Sequence, residues 1–165
     1  MAVLPVRLAP DPVLRQRAKR VRNIDASIQR LIGNMIETMR DASGAGLAAP
    51  QVGVPLRVIV IGLPEDEVRV LINPEIVKRS GERLLEEGCL SIPGYRGEVK
   101  RSVSVTVKGR DRQGKEVRLK ATELLAHVLE HEMDHLNGTL YVDHLESRNK
   151  LYRIEPEIEQ GEPGL

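Results

Sequence analysis

The sequence predicts an α+β fold in which short antiparallel β-sheets pack around a central buried helix carrying H-E-x-x-H. Three observations predict it. A stripe of apolar residues at helical spacing lies near the start of the chain. Several segments with strand character fill its middle. A second helical segment, apolar around nearly all its circumference, follows them.

The elements follow in order. Asp25 is positioned to cap a helix over 26–40. Ile28, Leu31, Ile32, Met35, Ile36 and Met39 form its i, i+3, i+4, i+7 stripe. The small residues 43–46 stop it and open a loop. Residues 57–61 are β-branched and apolar, which predicts a strand. Segments 68–72 and 75–78 flank Asn73-Pro74, a turn signal. Val99, Val103, Val105 and Val107 share one parity of a strand over 98–110. Residues 111–114 predict a hairpin turn into 115–120. The second helix starts near Thr122 and stops at Asn137-Gly138. Leu124, Leu125, Ala126, Val128, Leu129, Met133 and Leu136 cover most of its surface. The tail after Arg153 has four glutamates, two prolines and no base, which predicts fraying from about residue 154.

At 165 residues the chain is expected to form one catalytic domain, 1–165. Phe and Trp are absent, Tyr numbers 3 and Cys numbers 1. One cysteine excludes an intrachain disulfide framework and a multi-cysteine zinc module. Three tyrosines argue against a surface that stacks many bases. The formal net charge of +1 points to neither DNA binding nor membrane adhesion. With no signal-peptide pattern and no long apolar run, a cytoplasmic protein is expected. The sequence assigns no oligomeric state. Charge is unevenly spread, however. Residues 1–40 carry 8 bases and 3 acids, and Arg15, Arg17, Lys19, Arg20 and Arg22 cluster. That cluster reads as a solvated surface or as a docking patch for an anion such as RNA.

The second helix holds polar groups that apolar surroundings do not tolerate without partners. His127, His131 and His135 recur every four residues on one face. His131-Glu132-Met133-Asp134-His135 is H-E-x-x-H, which sets two imidazoles one turn apart with a glutamate beside them as general base. His127-Val128-Leu129-Glu130-His131 is the inverted motif H-x-x-E-H, a competing register. A catalytic site wants a third protein ligand. Cys89 is a candidate, although a lone cysteine is more often a small buried hydrophobe.

Three segments, Gly44-Ala45-Gly46-Leu47-Ala48-Ala49-Pro50-Gln51, Glu87-Gly88-Cys89-Leu90-Ser91 and the helix motif at 130–135, together resemble the peptide deformylase family. That family carries G-x-G-L-A-A-x-Q, E-G-C-L-S and Q-H-E-x-D-H in this order. The opening Asp11-Pro12-Val13-Leu14-Arg15 is also similar, and the resemblance spans roughly residues 5–150. It implies a metal-dependent hydrolase that removes the formyl group from N-formylmethionyl nascent peptides and releases formate. By resemblance Cys89, His131 and His135 are the metal ligands and Glu132 is the catalytic acid/base. Gln51 and the backbone N–H of Leu90 stabilise the oxyanion, and Gly46 and Glu87 bind substrate. The implied ion is Fe²⁺, with Zn²⁺, Ni²⁺ or Co²⁺ able to take its place. Leu85, Leu124 and Val128, with His127, are expected to line the methionine pocket.

Two departures stand out. Glu130 replaces the family's glutamine and is expected to bring negative charge near the site. The acidic tail replaces a basic helix that in relatives touches the ribosome, so any transient ribosome contact is expected at the basic segment 15–22.

Overall fold

The computed structural model describes residues 2–145 and 151–154. Helix α1 spans Ala26–Asp41, and the Asp25 carboxylate accepts from the Ile28 N–H at 3.1 Å, closing its first turn. Five strands form an antiparallel sheet in the order β1 (Gly46–Ala48), β2 (Val58–Ile61), β3 (Arg69–Ser80), β6 (Ser104–Arg110) and β7 (Glu116–Thr122). A second antiparallel sheet orders β4 (Arg83–Cys89), β5 (Ile92–Arg101) and β8 (Leu151–Arg153). Helix α2, Glu123–Leu136, follows β7 directly. Among the described residues β1 and β4 are thus both edge strands.

Strand β2 shows how the layers form. All four of its residues are buried. Ile59 and Ile61 pack with Val128, Leu129 and Met133 of α2, while Val58 and Val60 pack with Ile32, Met35 and Met39 of α1. Alternation along a strand sends neighbours to opposite faces, so one short strand serves two cores. Each fully buried aliphatic side chain contributes about 1.5–3 kcal/mol. The opposite side of α2 meets β4, which brings Glu87 and Cys89 onto the helix. The α+β expectation, with antiparallel sheets about a buried helix, is met.

Three local readings change. Asn73-Pro74 is not a turn: β3 runs through it, with a register shift between Ile72 and Glu75. Asn73 takes φ +53° there, and its amide holds both the N–H and the C=O of Val21. A bulge uses the same residue chemistry as a turn. The predicted strand 98–110 is two strands, β5 and β6, in different sheets. The chain breaks at Ser102, whose N–H and hydroxyl are taken by Glu130 instead of by a ladder. Residues 43–46, read as a loop, already enter β1. Strand β8 covers residues 151–153, just before the predicted fraying begins. The fraying itself concerns 155–165, outside the described residues. Among the described residues no helix is long and apolar enough to cross a membrane.

Candidate metal centre

The hairpin between β4 and β5 places Cys89 against α2. Cys89 pairs with Ile92, and Leu90 and Ser91 form the tip. The Ser91 N–H points back to Cys89 Sγ at 3.4 Å. From α2, the four-residue spacing sets His131 and His135 side by side, with their Nε2 atoms 3.1 Å apart. Cys89 Sγ lies 3.3 Å from His135 Nε2. One ligand atom from each of Cys89, His131 and His135 lies within 4.8 Å of the others, and all three residues are buried. The Tyr141 ring stacks near His131, centroid to centroid 6.5 Å.

Glu87 organises this cluster from behind. It is fully buried, and its two oxygens accept from Arg101 Nε at 2.9 Å, Arg101 Nη2, His127 Nε2 at 2.7 Å and His131 Nδ1. Burial alone would push its pKa up. The facing His131, with the hydrogen bonds from His127, His131 and Arg101, overrides burial and holds the carboxyl far below the usual range. An ionised carboxylate only accepts, so His131 Nδ1 donates to it and Nε2 is the ring nitrogen that faces the cluster. Arg101 also reaches Asp134 at 2.8 Å, and Asp134 accepts from His144 at 2.8 Å. Breaking one partner out of such a buried pair costs about 3–5 kcal/mol.

The donor set fits a divalent cation. Two imidazole nitrogens and a sulfur converge. A cation among them satisfies all three, and two imidazoles with one thiolate suit a borderline ion. The carboxylate behind His131 is the usual support of a metal-bound histidine.

Glu132 is also fully buried, and neither of its oxygens has a hydrogen-bond partner among the described residues. Burial pushes its pKa up, to about 7, with opposing smaller influences from His131 and Glu87. Its carboxylate lies against Gly46 of β1. A Cβ at Gly46 would sit 2.7 Å from Glu132 Oε2 and 2.8 Å from Val128 Cγ1, so a larger residue there would push the Glu132 carboxylate or Val128 aside. Gln51 approaches from the 3-10 turn Ala49–Val52. Its Oε1 accepts from the Ala48 N–H at 3.0 Å, which aims Nε2 at Ser91 Oγ, 3.2 Å, and Cys89 Sγ, 3.7 Å.

The structure therefore gathers Cys89, His131 and His135, with Glu132, Gln51, Gly46 and Leu90 around them. Glu87 stands behind the ligands, saturated by protein donors, and not on a surface that a substrate would meet. His127 is turned to Glu87 and is not among the converging atoms. Glu130 points the other way, to Ser102 and Arg79, so its charge is spent outside the cluster. The inverted register is accordingly not assembled. Of the expected pocket residues, Val128 touches the Gly46 position, while Leu124 is exposed. Sequence reasoning missed Arg101. A signal existed: Arg101 occupies the same parity as Val99 and Val105, a charge on the buried side of an alternating pattern.

Residues 3–151 match the sequence profile of polypeptide deformylase. The chain belongs to that family. It is 57% identical over 163 residues to the peptide deformylase of Dehalococcoides mccartyi (strain CBDB1), covering 98% of both chains. It is 49% identical over 168 residues to that of Thermomicrobium roseum, covering 97% of this chain and 96% of the other. Among solved structures, the peptide deformylase of Legionella pneumophila superposes with a TM-score of 0.87 at 48% identity, covering 90% and 89% of the two chains. The peptide deformylase of Synechococcus elongatus in complex with actinonin gives 0.86 at 48% identity, covering 89% and 81%. Membership makes the chain a metal-dependent hydrolase, a deformylase acting in N-terminal processing of polypeptides.

Proposed function

We propose that the chain hydrolyses the formyl amide of N-formylmethionyl nascent peptides, with Cys89, His131 and His135 holding one divalent ion and Glu132 as acid and base. The observation that carries this reading is the unpartnered, buried Glu132 carboxylate beside three converging donor atoms. A cation bound there supplies Lewis acidity toward the formyl oxygen and lowers the pKa of a water molecule.

The protein's own groups do the rest. Glu132 takes the proton from the attacking water and passes it to the leaving amine, which yields formate and a free N-terminus. The Gln51 Nε2–H and the Leu90 N–H meet the charge that grows on the formyl oxygen. One such donor is typically worth about 3–4 kcal/mol. Glu87 binds no substrate directly. It holds His131 in the tautomer that frees Nε2 for the ion. The open edges of β1 and β4 flank the cluster, and an extended peptide can add to them as a strand, with Gly46 hydrogen-bonded to its backbone. Val128 and Leu85, with Leu124 at the rim, supply aliphatic surface for the methionine side chain.

Fe²⁺ is the physiological ion in this reading, with Zn²⁺, Ni²⁺ and Co²⁺ as substitutes. The support is a borderline donor set with one oxidisable thiolate. The enzyme works in the cytoplasm, where formylated chains are made, and meets them by transient contact with the ribosome. Anaerobic purification, metal quantification and a formate assay on a formyl-Met peptide test the reading together. About one metal per chain and formate release are expected, with activity fading in air. Internal cleavage of the peptide without formate release would overturn it.

A further inference from the structure

A groove of about 1290 Å³ lies away from the metal cluster, between the segment after residue 18, the start of α1 and the β6–β7 turn. Among the described residues Lys19, Arg20, Arg22 and Arg110 line it, against a single acid, Asp25. That acid is committed: its Oδ1 accepts from Ser27 Oγ and the Ile28 N–H as the cap of α1. Lys19, Arg20 and Arg22 are exposed and form no ion pair among the described residues. The field is strong enough to be felt nearby. Burial, then repulsion from Arg17 and Arg20, holds the Arg57 guanidinium below its ordinary pKa.

The bases stand on a fixed backbone. The Ala18 N–H donates to Leu136 O at 2.8 Å and the Lys19 N–H to Pro55 O at 2.9 Å. The Arg57 N–H donates to Lys19 O at 2.9 Å, and the Asn73 amide holds Val21. A basic segment pinned at four points loses little backbone freedom when it meets a partner. No aromatic residue lines the groove among the described residues, so base stacking is not part of the grip they offer. What remains is phosphate recognition, which is independent of base sequence.

We propose that this groove docks the phosphate backbone of duplex RNA. The choice of RNA rests on the reading that the substrates are nascent chains on the ribosome, whose surface presents such duplexes. The test is fluorescence anisotropy with a labelled duplex RNA over a salt series, using the full metal-loaded chain. The wild type is expected to bind at low salt with a steep salt dependence. The triple variant Lys19→Glu, Arg20→Glu, Arg22→Glu should bind at least ~10-fold more weakly, with its log–log salt slope reduced by roughly two to three. A control variant, Arg118→Glu with Lys120→Glu on β7, should stay within about threefold of wild type, since a few contacts in one place carry the affinity. Absent wild-type binding, an unchanged triple variant or an equal loss in the control would each overturn the proposal. So would tighter binding to a DNA duplex of equal length, or to vesicles of phosphatidylcholine and phosphatidylglycerol. Formate release from a short formyl-Met peptide is measured in parallel. It should be the same in the triple variant and wild type. A wild type that bound RNA but released no formate would sink the catalytic reading and leave the groove standing.

Discussion

Glu130 and Glu132 lie two residues apart on α2, and both are buried. On one face of the helix, Glu130 accepts from the Ser102 N–H at 2.6 Å, the Ser102 hydroxyl at 3.0 Å and Arg79 Nε at 3.1 Å. On the other, Glu132 accepts from nothing among the described residues. The same side chain in the same helix is thus a finished joint on one face and an open valence on the other. Folding normally eliminates a buried carboxylate without partners, because its desolvation goes uncompensated. Its survival beside the donor cluster supports the proposal that this face carries the chemistry. The saturated face shows what Glu130 does: it joins α2 to the point where the chain leaves one sheet for the other.

The contrast can be broken at several points. Glu132→Gln should give the largest effect, a loss of roughly 10²–10⁴-fold in kcat on a formyl-Met peptide, the usual range for a general acid–base. Metal content and melting temperature should hold, because the carboxylate makes no protein hydrogen bond to lose. Full turnover by this variant would end its role. Glu87→Gln attacks the support of the open face. It removes the fully buried one of the two carboxylates that pair with Arg101, leaving only Asp134, and should cost up to about 3–5 kcal/mol in denaturant unfolding. Metal affinity should drop about 10–100-fold in chelator competition.

Glu130→Ala strikes the saturated face. It strands the Ser102 N–H, and a stranded buried group costs about 1–3 kcal/mol. The kcat of the folded fraction should stay near wild type, and a large kcat loss would show that the two faces are coupled. The smallest effect belongs to Arg15 and Asp143, which tie the start of the chain to the segment after α2. Partial burial tends to raise the Asp143 pKa, but the hydrogen bonds from Arg15 and the Leu140 N–H, with the charges of Arg15 and His144, together outweigh it and the net shift is downward. A depressed carboxylate stabilises fully above its unfolded value, near 4, and loses that contribution as pH falls through the folded value. Asp143→Asn should therefore lower stability at pH 7 by less than about 1 kcal/mol, since the pair is exposed and screened. The difference should vanish in strong acid, as thermal melts across pH would show.

Both helices were legible in the sequence because each advertises itself locally: α1 through its stripe and Asp25 cap, α2 through its apolar girth and its stop at Gly138. The donor cluster was legible because two of its residues share one helix, so spacing alone brings them together. Cys89 was only a candidate third ligand until motif resemblance gave it that role, since nothing local says that a cysteine 42 residues upstream of His131 folds onto it. Sheet organisation was the least legible. The parity shared by Val99, Val103, Val105 and Val107 runs on past Arg101, yet Val99 and Val105 lie in different sheets. The deciding contact is Glu130 on Ser102, a long-range bond that no local pattern contains. Asn73 misled for the complementary reason: the conformation that makes it a turn residue also makes it a bulge residue.

β1 is only three residues long and lies at the open edge of its sheet. An edge of that length can offer a visiting chain only a few ladder bonds, each worth a net ~1 kcal/mol. Backbone pairing reads no side chain, so every nascent sequence is offered the same grip. In the proposed reading, the brevity of that grip favours a short residence time. An enzyme whose clients are all the new chains of a cell is served better by letting go quickly than by holding well.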